Sequence, residues 1–267
     1  MVLKIKKVLK EFYDPDITYY AASLSFYTIL TLIPLLLISF SIMVQLPNFS
    51  EQYEKVKIFI FANIIPASQG TIANYIDTFL ANTSKLSYLG FSFILFASIM
   101  FFQNYEYIVS KIFKTKQKGF WSALTTYWTL ITLGPMALVA SIYLSIRIQQ
   151  LLDATTYTSK IDFLAIFPYL IIWILFFITY KISTIVAIRI KAALISSFFA
   201  SLIWYAGKNL FIQYTLANKI YTTVYGSFST LLFFFLWIYL SWIIFLYGQK
   251  LCYVLNEEKE VIDTISA

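Results

Sequence analysis

The sequence predicts an all-α, polytopic membrane helical bundle, and three observations lead to that fold class. Apolar residues make up 60% of the 267 positions and charged residues only 12%, with a mean hydropathy of +0.75. These values exclude disordered, collagen-like and ordinary soluble globular proteins. Seven Gly and six Pro leave little material for the turns of an all-β protein, and the long apolar runs lack two-residue alternation. Membrane-spanning helices fit this pattern, and barrel strands do not.

Six segments are long enough, and sufficiently free of charge, to cross about 30 Å of hydrocarbon, which takes roughly 20 apolar residues. The fifth contains Lys208, which is placed to extend its ammonium to the headgroups at the far interface. The uncharged run 58–76 is too polar to cross, so we interpret it as part of an external helical hairpin. The six predicted transmembrane helices, TM1 to TM6, are 17–46, 86–105, 120–146, 163–180, 192–213 and 223–248.

Charge asymmetry supports six spans, because loops that remain in the cytoplasm accumulate Lys and Arg. In the six-span arrangement, thirteen of the twenty Lys and Arg lie on the side of the two termini, including the cluster at 111–118. A seven-span arrangement would move that cluster to the opposite side. We therefore expect a multi-pass protein of the bacterial inner (plasma) membrane with both termini cytoplasmic. The predicted connecting segments are an amphipathic helix 1–16, a hairpin 47–85, a basic loop 106–119, loops 147–162, 181–191 and 214–222, and a tail 249–267.

Local signals mark the start of TM1 and several helix bends. Apolar and basic residues separate onto two faces over 2–13, which is typical of an interfacial helix. Asp14 is expected to end that helix, and Asp16 is placed to cap TM1. Proline removes a backbone hydrogen bond and bends a membrane helix. Bends are predicted at Pro34 in TM1 and at Gly134 and Pro135 in TM3.

The residue types argue against catalysis. The chain has no His, one Cys and thirteen carboxylates, and most of these carboxylates lie outside the apolar runs. This composition lacks the raw materials for zinc chemistry, Cys/His nucleophiles and disulfide frameworks. We therefore predict no catalytic residues, no metal site and no cofactor, and we do not expect an enzyme. The net charge of +7 is explained by lysines that face anionic lipid headgroups, in preference to a nucleic-acid surface.

Polar residues at membrane depth are the candidate functional residues, because they are costly there without a role. Five of them are predicted to line one polar cavity between TM1 and TM6. The alternative is that the Ser and Thr hydroxyls bond back to their own helices. The candidate cavity residues are Tyr27, Thr31, Tyr225, Ser229 and Thr230.

Small residues four apart mark close-packed helix faces in membranes, and TM5 carries two such rows. This pattern predicts that TM5 is the helix buried inside the bundle. The two rows are Ala192, Ser196 and Ala200, and Ala193, Ser197 and Ser201.

Several segments carry a family resemblance. Residues 21–36, AASLSFYTILTLIPLL, are Ala-rich and continue with Tyr-Thr and then Pro-Leu-Leu. The chain continues with a basic loop at 111–121, Gly-Pro at 134–135, Tyr-Gly-Ser at 225–227 and LWIYLS at 236–241. In these features it resembles the YihY/virulence factor BrkB family over nearly its whole length. It departs from the family's Gly-Ala-Glu-Leu motif after the last span, where 248–251 read Gly-Gln-Lys-Leu and a base replaces the acid.

The resemblance implies a six-span inner-membrane protein whose biochemical activity is unsettled. Family members have often been labelled ribonuclease BN, but this chain lacks the His that such chemistry commonly uses. We expect transport or lipid handling across or within the membrane. The alternative is a non-catalytic envelope scaffold that binds a partner. Membrane lipids are the expected partners, and a small molecule or a lipid is the expected substrate. We do not expect nucleic-acid binding, and the sequence identifies no protein partner.

The six-span topology can be tested with reporter fusions. Alkaline phosphatase fused at Asn82 should be active, because this position is predicted to lie outside the cytoplasm. The same reporter fused at Lys116 should be silent. The reverse pattern would contradict the topology.

Overall fold

The computed structural model describes residues 12–44, 88–119, 121–122, 148–149, 163–218, 225–226 and 228–265. No strand occurs in these ranges, so the all-α class is confirmed for them. Its principal elements are the helices α1 (Asp16–Val44), α2 (Tyr88–Ile112), α3 (Phe163–Ile182), α4 (Ile190–Ala217) and α5 (Phe228–Ile265).

The helices coincide with five of the six predicted spans. Within the described ranges, two segments are long and apolar enough to cross a membrane, Ile190–Ala217 and Leu231–Glu257. The six-span count stays a prediction. Nearly all of TM3, with Gly134 and Pro135, lies outside the described residues, as do the hairpin 47–85 and residues 1–11 of the amphipathic helix.

Two helices continue well beyond the predicted spans. α2 ends at Ile112 instead of residue 105, so the first half of the predicted basic loop is helical. α5 begins at Phe228 instead of residue 223 and runs through most of the predicted tail to Ile265. Hydropathy marks where a helix leaves the apolar layer, whereas a helix ends only where its backbone hydrogen bonds stop.

The start of α1 corrects the predicted cap. The carboxylate Oδ1 of Asp14 accepts the backbone N–H of Asp16 at 3.2 Å, so Asp14 takes the role predicted for Asp16. The carbonyl of Asp14 also accepts the N–H of Ile17 at 3.3 Å. Asp16 is exposed in the first turn, where a negative charge suits the helix dipole. The helix continues through Pro34, and the bend there stays a prediction.

α5 is the central helix of the described bundle, because it packs against α1, α2, α3 and α4. That TM5 is the helix buried inside the whole bundle stays a prediction. α4 does bury its small residues, but its opposite face exposes large apolar side chains. That face presents Ile195, Phe198, Phe199, Leu202, Ile203 and Leu210.

Three indole-to-hydroxyl hydrogen bonds, here called the indole bonds, join neighbouring helices. Trp173 Nε1 donates to Ser197 Oγ at 3.1 Å between α3 and α4, and Trp204 Nε1 donates to Ser241 Oγ at 3.0 Å between α4 and α5. Trp242 Nε1 donates to Thr28 Oγ1 at 2.9 Å between α5 and α1. Interhelical bonds of this kind contribute about 0.6 kcal/mol each on average in membrane proteins.

Aromatic rings fill the space between α2, α3 and α5. The ring of Phe245 lies 5.0 Å from that of Phe176 and 5.4 Å from that of Trp242. Tyr105 lies 6.0 Å from Trp242 and 6.5 Å from Phe101. These five rings, here called the aromatic core, pack edge to face or tilted for the most part, as aromatic quadrupoles prefer. This part of the bundle is filled by side chains.

Gly248 is required for the close approach of α5 to α3 and α4. A Cβ at this position would lie 2.6 Å from the Cβ of Ala200 and would overlap the hydroxyl of Tyr180. The Tyr180 hydroxyl is fixed, because it donates to the Phe245 carbonyl at 2.9 Å. A Cβ at Gly207, in contrast, would only touch Ile244 Cδ1 at 3.4 Å.

We expect Gly248→Ala to lower the free energy of unfolding by about 1–3 kcal/mol, because the added methyl overpacks a rigid contact. Thermal unfolding of the purified protein in detergent micelles measures this change. Gly207→Ala is the matched control and should be neutral or stabilising by up to about 1 kcal/mol. Equal destabilisation by the two substitutions would contradict the close approach at Gly248.

Candidate functional site

Nearly half of the buried polar and charged side chains in the described residues gather at one end of the bundle, here called the basal end. There α1 begins, α2 and α3 end, α4 begins and α5 passes through Gln249–Asn256. The sequence analysis predicts that this end faces the cytoplasm. Three sets of contacts build it: an ion pair, a chain of neutral hydrogen bonds and a set of cations bound to backbone carbonyls.

The ion pair joins the start of α1 to α5. Lys250 Nζ lies 2.9 Å from Asp14 Oδ2, and the two side chains are only 7% and 22% exposed. The ring of Phe12 packs against that of Tyr247 at 5.3 Å and covers the same junction. The sequence explains the net charge by lysines that face lipid headgroups, but Lys250 is not one of them. Its charge is compensated within the protein.

A chain of neutral hydrogen bonds connects α5, α2 and α3. Gln249 Nε2 donates to the hydroxyl of Tyr105 at 2.8 Å, and this hydroxyl lies 2.8 Å from Ser183 Oγ. Ser183 Oγ in turn donates to the Thr179 carbonyl at 2.5 Å. Gln249 is fully buried, and its Oε1 has no hydrogen-bond partner in the described part of the chain. The chain therefore ends on an acceptor without a donor.

Cations hold the loop between α3 and α4 through backbone carbonyls. Lys118 Nζ donates to the carbonyl of Ile182, the last residue of α3, and Lys181 Nζ donates to that of Ile188. Arg189 is the N-cap residue of α4, and its guanidinium reaches α5, where it donates to the carbonyls of Leu255 at 2.6 Å and Asn256 at 2.8 Å. Lys118 lies at the carbonyl end of α3, where a cation also compensates the helix dipole.

Glu106 is a buried carboxylate within α2. It is only 4% exposed, and its Oε1 accepts the backbone N–H of Lys118 at 2.8 Å. Burial lowers the pKa of the Lys118 ammonium, and the nearby Glu106 charge opposes that shift. Sequence reasoning missed Glu106 because the predicted TM2 stops just before this first charge. A better signal would have been the apolar periodicity that continues through Ile108, Val109 and Ile112.

The described residues do not bring the TM1 and TM6 groups of the predicted cavity together. Thr31 Oγ1 donates to the Tyr27 carbonyl at 2.8 Å, and Ser229 Oγ donates to the Gly226 carbonyl at 2.7 Å, as in the back-bonding alternative. Tyr225 is half exposed. The side chain of Thr230 lies outside the described part. We find no described contact that joins the two groups.

The antiparallel register of α1 and α5 explains this separation. The bond between Thr28 and Trp242 fixes the two helices at one level. Ser229 lies 13 residues from Trp242 along α5, whereas Thr31 lies only three residues beyond Thr28, in the same direction. At 1.5 Å per residue, Thr31 and Ser229 are about 15 Å apart along the bundle axis.

The six small residues of α4 are all buried. Ser196 Oγ donates to the Ala192 carbonyl at 2.8 Å, and Ser197 Oγ accepts the Trp173 indole N–H. These residues act in helix packing. The described residues hold no group of three acidic or cysteine side chains that could bind a metal ion. The described part of the basal end is built from donors, carbonyls and compensated charges.

We expect Asp14→Asn to lower the free energy of unfolding by about 2 kcal/mol, less than the roughly 3–5 kcal/mol of a fully buried pair, because Asp14 retains some contact with water. The measurement is thermal unfolding in detergent. Removing both charges in Asp14→Asn/Lys250→Gln should recover part of the loss. The control Asp16→Asn, at an exposed position, should stay within about 0.5 kcal/mol of the wild type. A similar loss in the control would refute the special role of the pair.

Known proteins resemble this chain over most of its length. A UPF0761 membrane protein of Haemophilus influenzae (strain 86-028NP) is 29% identical over 256 residues, which cover 95% of each chain. One from Mannheimia succiniciproducens is 28% identical, with 92% of this chain and 87% of the relative covered. One from Yersinia pseudotuberculosis is 32% identical, with 79% and 73% covered. No solved structure matches.

The sequence also matches a family model described as virulence factor BrkB, over residues 8–266. That match includes every helix of the basal end and all the residues on which the resemblance was based. The relatives are all named as membrane proteins, in agreement with the apolar helices of this chain. The protein is therefore a membrane protein of the virulence factor BrkB family.

Proposed function

We propose that this protein handles lipids within the membrane by binding the phosphate groups of anionic phospholipids at its basal end. The observation that carries the proposal is a row of exposed cations beside exposed apolar side chains. Lys116 and Lys191 are exposed there, and Ile185 and Ile190 are 57% and 60% exposed. An ammonium beside an apolar surface suits a headgroup phosphate above its acyl chains.

Other charged side chains at the basal end are bound within the protein, so we assign ligand binding to the exposed Lys116 and Lys191. Lys118, Lys181 and Arg189 donate to backbone carbonyls within the protein. The partly buried Asp14 and the buried Glu106 also accept hydrogen bonds from internal donors. These internal contacts give the exposed surface a rigid support. The proposed role includes no chemical step.

Transport of a solute between α1 and α5 receives no support from the described helices, because the polar groups lie at different levels and the aromatic core is filled. The packed aromatic core, with the ring of Phe245 5.0 Å from that of Phe176, instead favours the non-catalytic scaffold as second candidate. In that case the exposed basal surface would bind a protein partner. Both candidate functions use Lys116 and Lys191. They differ in what these lysines bind, a phospholipid in the first and a protein in the second.

We expect Lys116→Gln/Lys191→Gln to weaken binding of phosphatidylglycerol by roughly 30-fold, since each lysine near a lipid surface contributes about 1 kcal/mol. Native mass spectrometry of the detergent-solubilised protein, titrated with phosphatidylglycerol, measures the affinity. Phosphatidylcholine should bind weakly to both proteins. Lys160→Gln, at a position predicted to lie on the opposite side, is the control. Unchanged phosphatidylglycerol binding by the double variant would refute lipid binding at the basal end and favour the scaffold.

A further inference from the structure

The helices α1 and α2 pack against each other in opposite directions and form a seam that starts at the basal end. Asn104 Nδ2 of α2 donates to Ser23 Oγ of α1 at 3.0 Å, and this bond fixes the two helices at one level. Asp16 lies seven residues before Ser23, and Lys111 lies seven residues after Asn104. At 1.5 Å per residue, both charged residues lie about 10 Å from this bond in the direction of the basal end. They are therefore at the same depth.

Two tyrosines connect these charges across the seam. Asp16 and Tyr20 are four residues apart in α1 and share one helix face. Tyr107 and Lys111 are four residues apart in α2, and Lys111 Nζ lies over the Tyr107 ring, 5.3 Å from its centroid. Tyr20 lies within electrostatic reach of both Asp16 and Tyr107, so the two pairs are neighbours. These four side chains are here called the seam site.

The two charges of the seam site are accessible and are not paired with each other. Asp16 and Lys111 are both exposed, and Tyr107 is 42% exposed. Within the described part of the chain, neither the Asp16 carboxylate nor the Lys111 ammonium takes part in a hydrogen bond or an ion pair. A carboxylate and an ammonium that lie at one depth without meeting can bind a ligand that carries both charges. Their exposure leaves room for it.

An ethanolamine headgroup matches the chemistry of the seam site. It carries a phosphate and, on a short chain, a primary ammonium. The ammonium donates hydrogen bonds that the Asp16 carboxylate accepts, and the phosphate accepts hydrogen bonds from Lys111. A glycerol headgroup offers only the phosphate, which the Asp16 charge repels. A choline headgroup has no N–H group to donate to the carboxylate. The unpaired charges therefore favour ethanolamine over both.

The position of the seam site favours a lipid over a soluble ligand. Asp16 directly precedes the predicted span 17–46, which places it at the level of the headgroups. Tyr19 is 74% exposed at the same level, where tyrosine is common in membrane proteins. Phe26 of α1 and Phe96 of α2 are each 60% exposed further from the basal end. Acyl chains can lie against these rings while the headgroup stays at the charges.

We propose that the seam site binds the ethanolamine headgroup of a phospholipid, with Asp16 accepting from the headgroup ammonium and Lys111 binding the phosphate. The ring of Tyr107 holds the Lys111 ammonium in place. This inference rests on the proposed lipid-handling function and deepens it, because it adds a zwitterionic lipid to the anionic one. It uses neither Lys116 nor Lys191, so the basal end has two sites with different headgroup preferences.

Native mass spectrometry of the full chain in detergent, titrated separately with phosphatidylethanolamine and phosphatidylglycerol, tests the seam site. Asp16→Asn should weaken phosphatidylethanolamine binding about fivefold, as expected for one charged contact at a lipid surface. The same variant should bind phosphatidylglycerol as well as wild type or better, because a negative charge near Lys111 is removed. Lys111→Gln should weaken binding of both lipids. Asp153→Asn, at a position predicted to lie on the opposite side, is the matched control and should bind both lipids as wild type does.

Four outcomes would overturn the inference. Unchanged phosphatidylethanolamine binding by Asp16→Asn would show that the carboxylate does not contact the headgroup. Equal weakening of both lipids by this variant would assign Asp16 a role in the helix dipole alone. Phosphatidylcholine binding as tight as that of phosphatidylethanolamine would exclude recognition of the ammonium through its N–H groups. Equally tight binding of glycerophosphoethanolamine, which has no acyl chains, would assign the seam site to a soluble ligand.

The Lys116→Gln/Lys191→Gln background separates this inference from the proposed anionic-lipid site. Phosphatidylethanolamine binding that still depends on Asp16 in this background supports the seam site, even if phosphatidylglycerol binding does not respond to the two lysine substitutions. If phosphatidylethanolamine binding in this background does not depend on Asp16, the seam site is wrong, whatever Lys116 and Lys191 bind.

Discussion

The structure depends on one constraint: a polar group within an apolar surrounding is costly without a hydrogen-bond partner, and most of the buried polar groups described here find that partner inside the protein. The indole bonds satisfy this constraint between helices. In two of them the accepting hydroxyl also donates to its own helix, as Thr28 Oγ1 does to the Leu24 carbonyl at 2.7 Å and Ser197 Oγ does to the Leu194 carbonyl at 3.1 Å. Each such hydroxyl is used fully, as donor and as acceptor. The basal end applies the same rule to charges, since Asp14, Glu106 and Lys250 are all partnered within the bundle.

The positions of the helices could be predicted from hydropathy, but their ends could not. α3 covers the whole predicted span 163–180, because no charged residue interrupts the apolar run there. α2 continues past Glu106 because the fold supplies a backbone N–H for that carboxylate, and α5 continues past Lys250 because it supplies Asp14. These partners are distant in the sequence. A rule that ends a span at the first charge cannot anticipate them.

The candidate site was harder to predict for a related reason. Ser and Thr in a helix can bond back to the preceding turn or line a cavity, and their spacing is the same in both cases. Thr31 and Ser229 bond back, while the residues at the basal end acquire their roles from tertiary contacts. Trp173, Trp204 and Trp242 offered an overlooked signal, because an indole N–H in the middle of an apolar run requires an acceptor on a neighbouring helix.

The pairing of Asp14 with Lys250 also has a consequence for how the protein is made. These residues are 236 positions apart, and the second contact between α1 and α5, from Thr28 to Trp242, spans 214 positions. The ribosome synthesises α1 first and the partner segment of α5 almost last, so α1 packs against α2 early and lacks its second packing surface during nearly all of translation. Chains that stop before α5 leave Thr28 and Asp14 without their partners. Completion of the chain is what closes the described bundle.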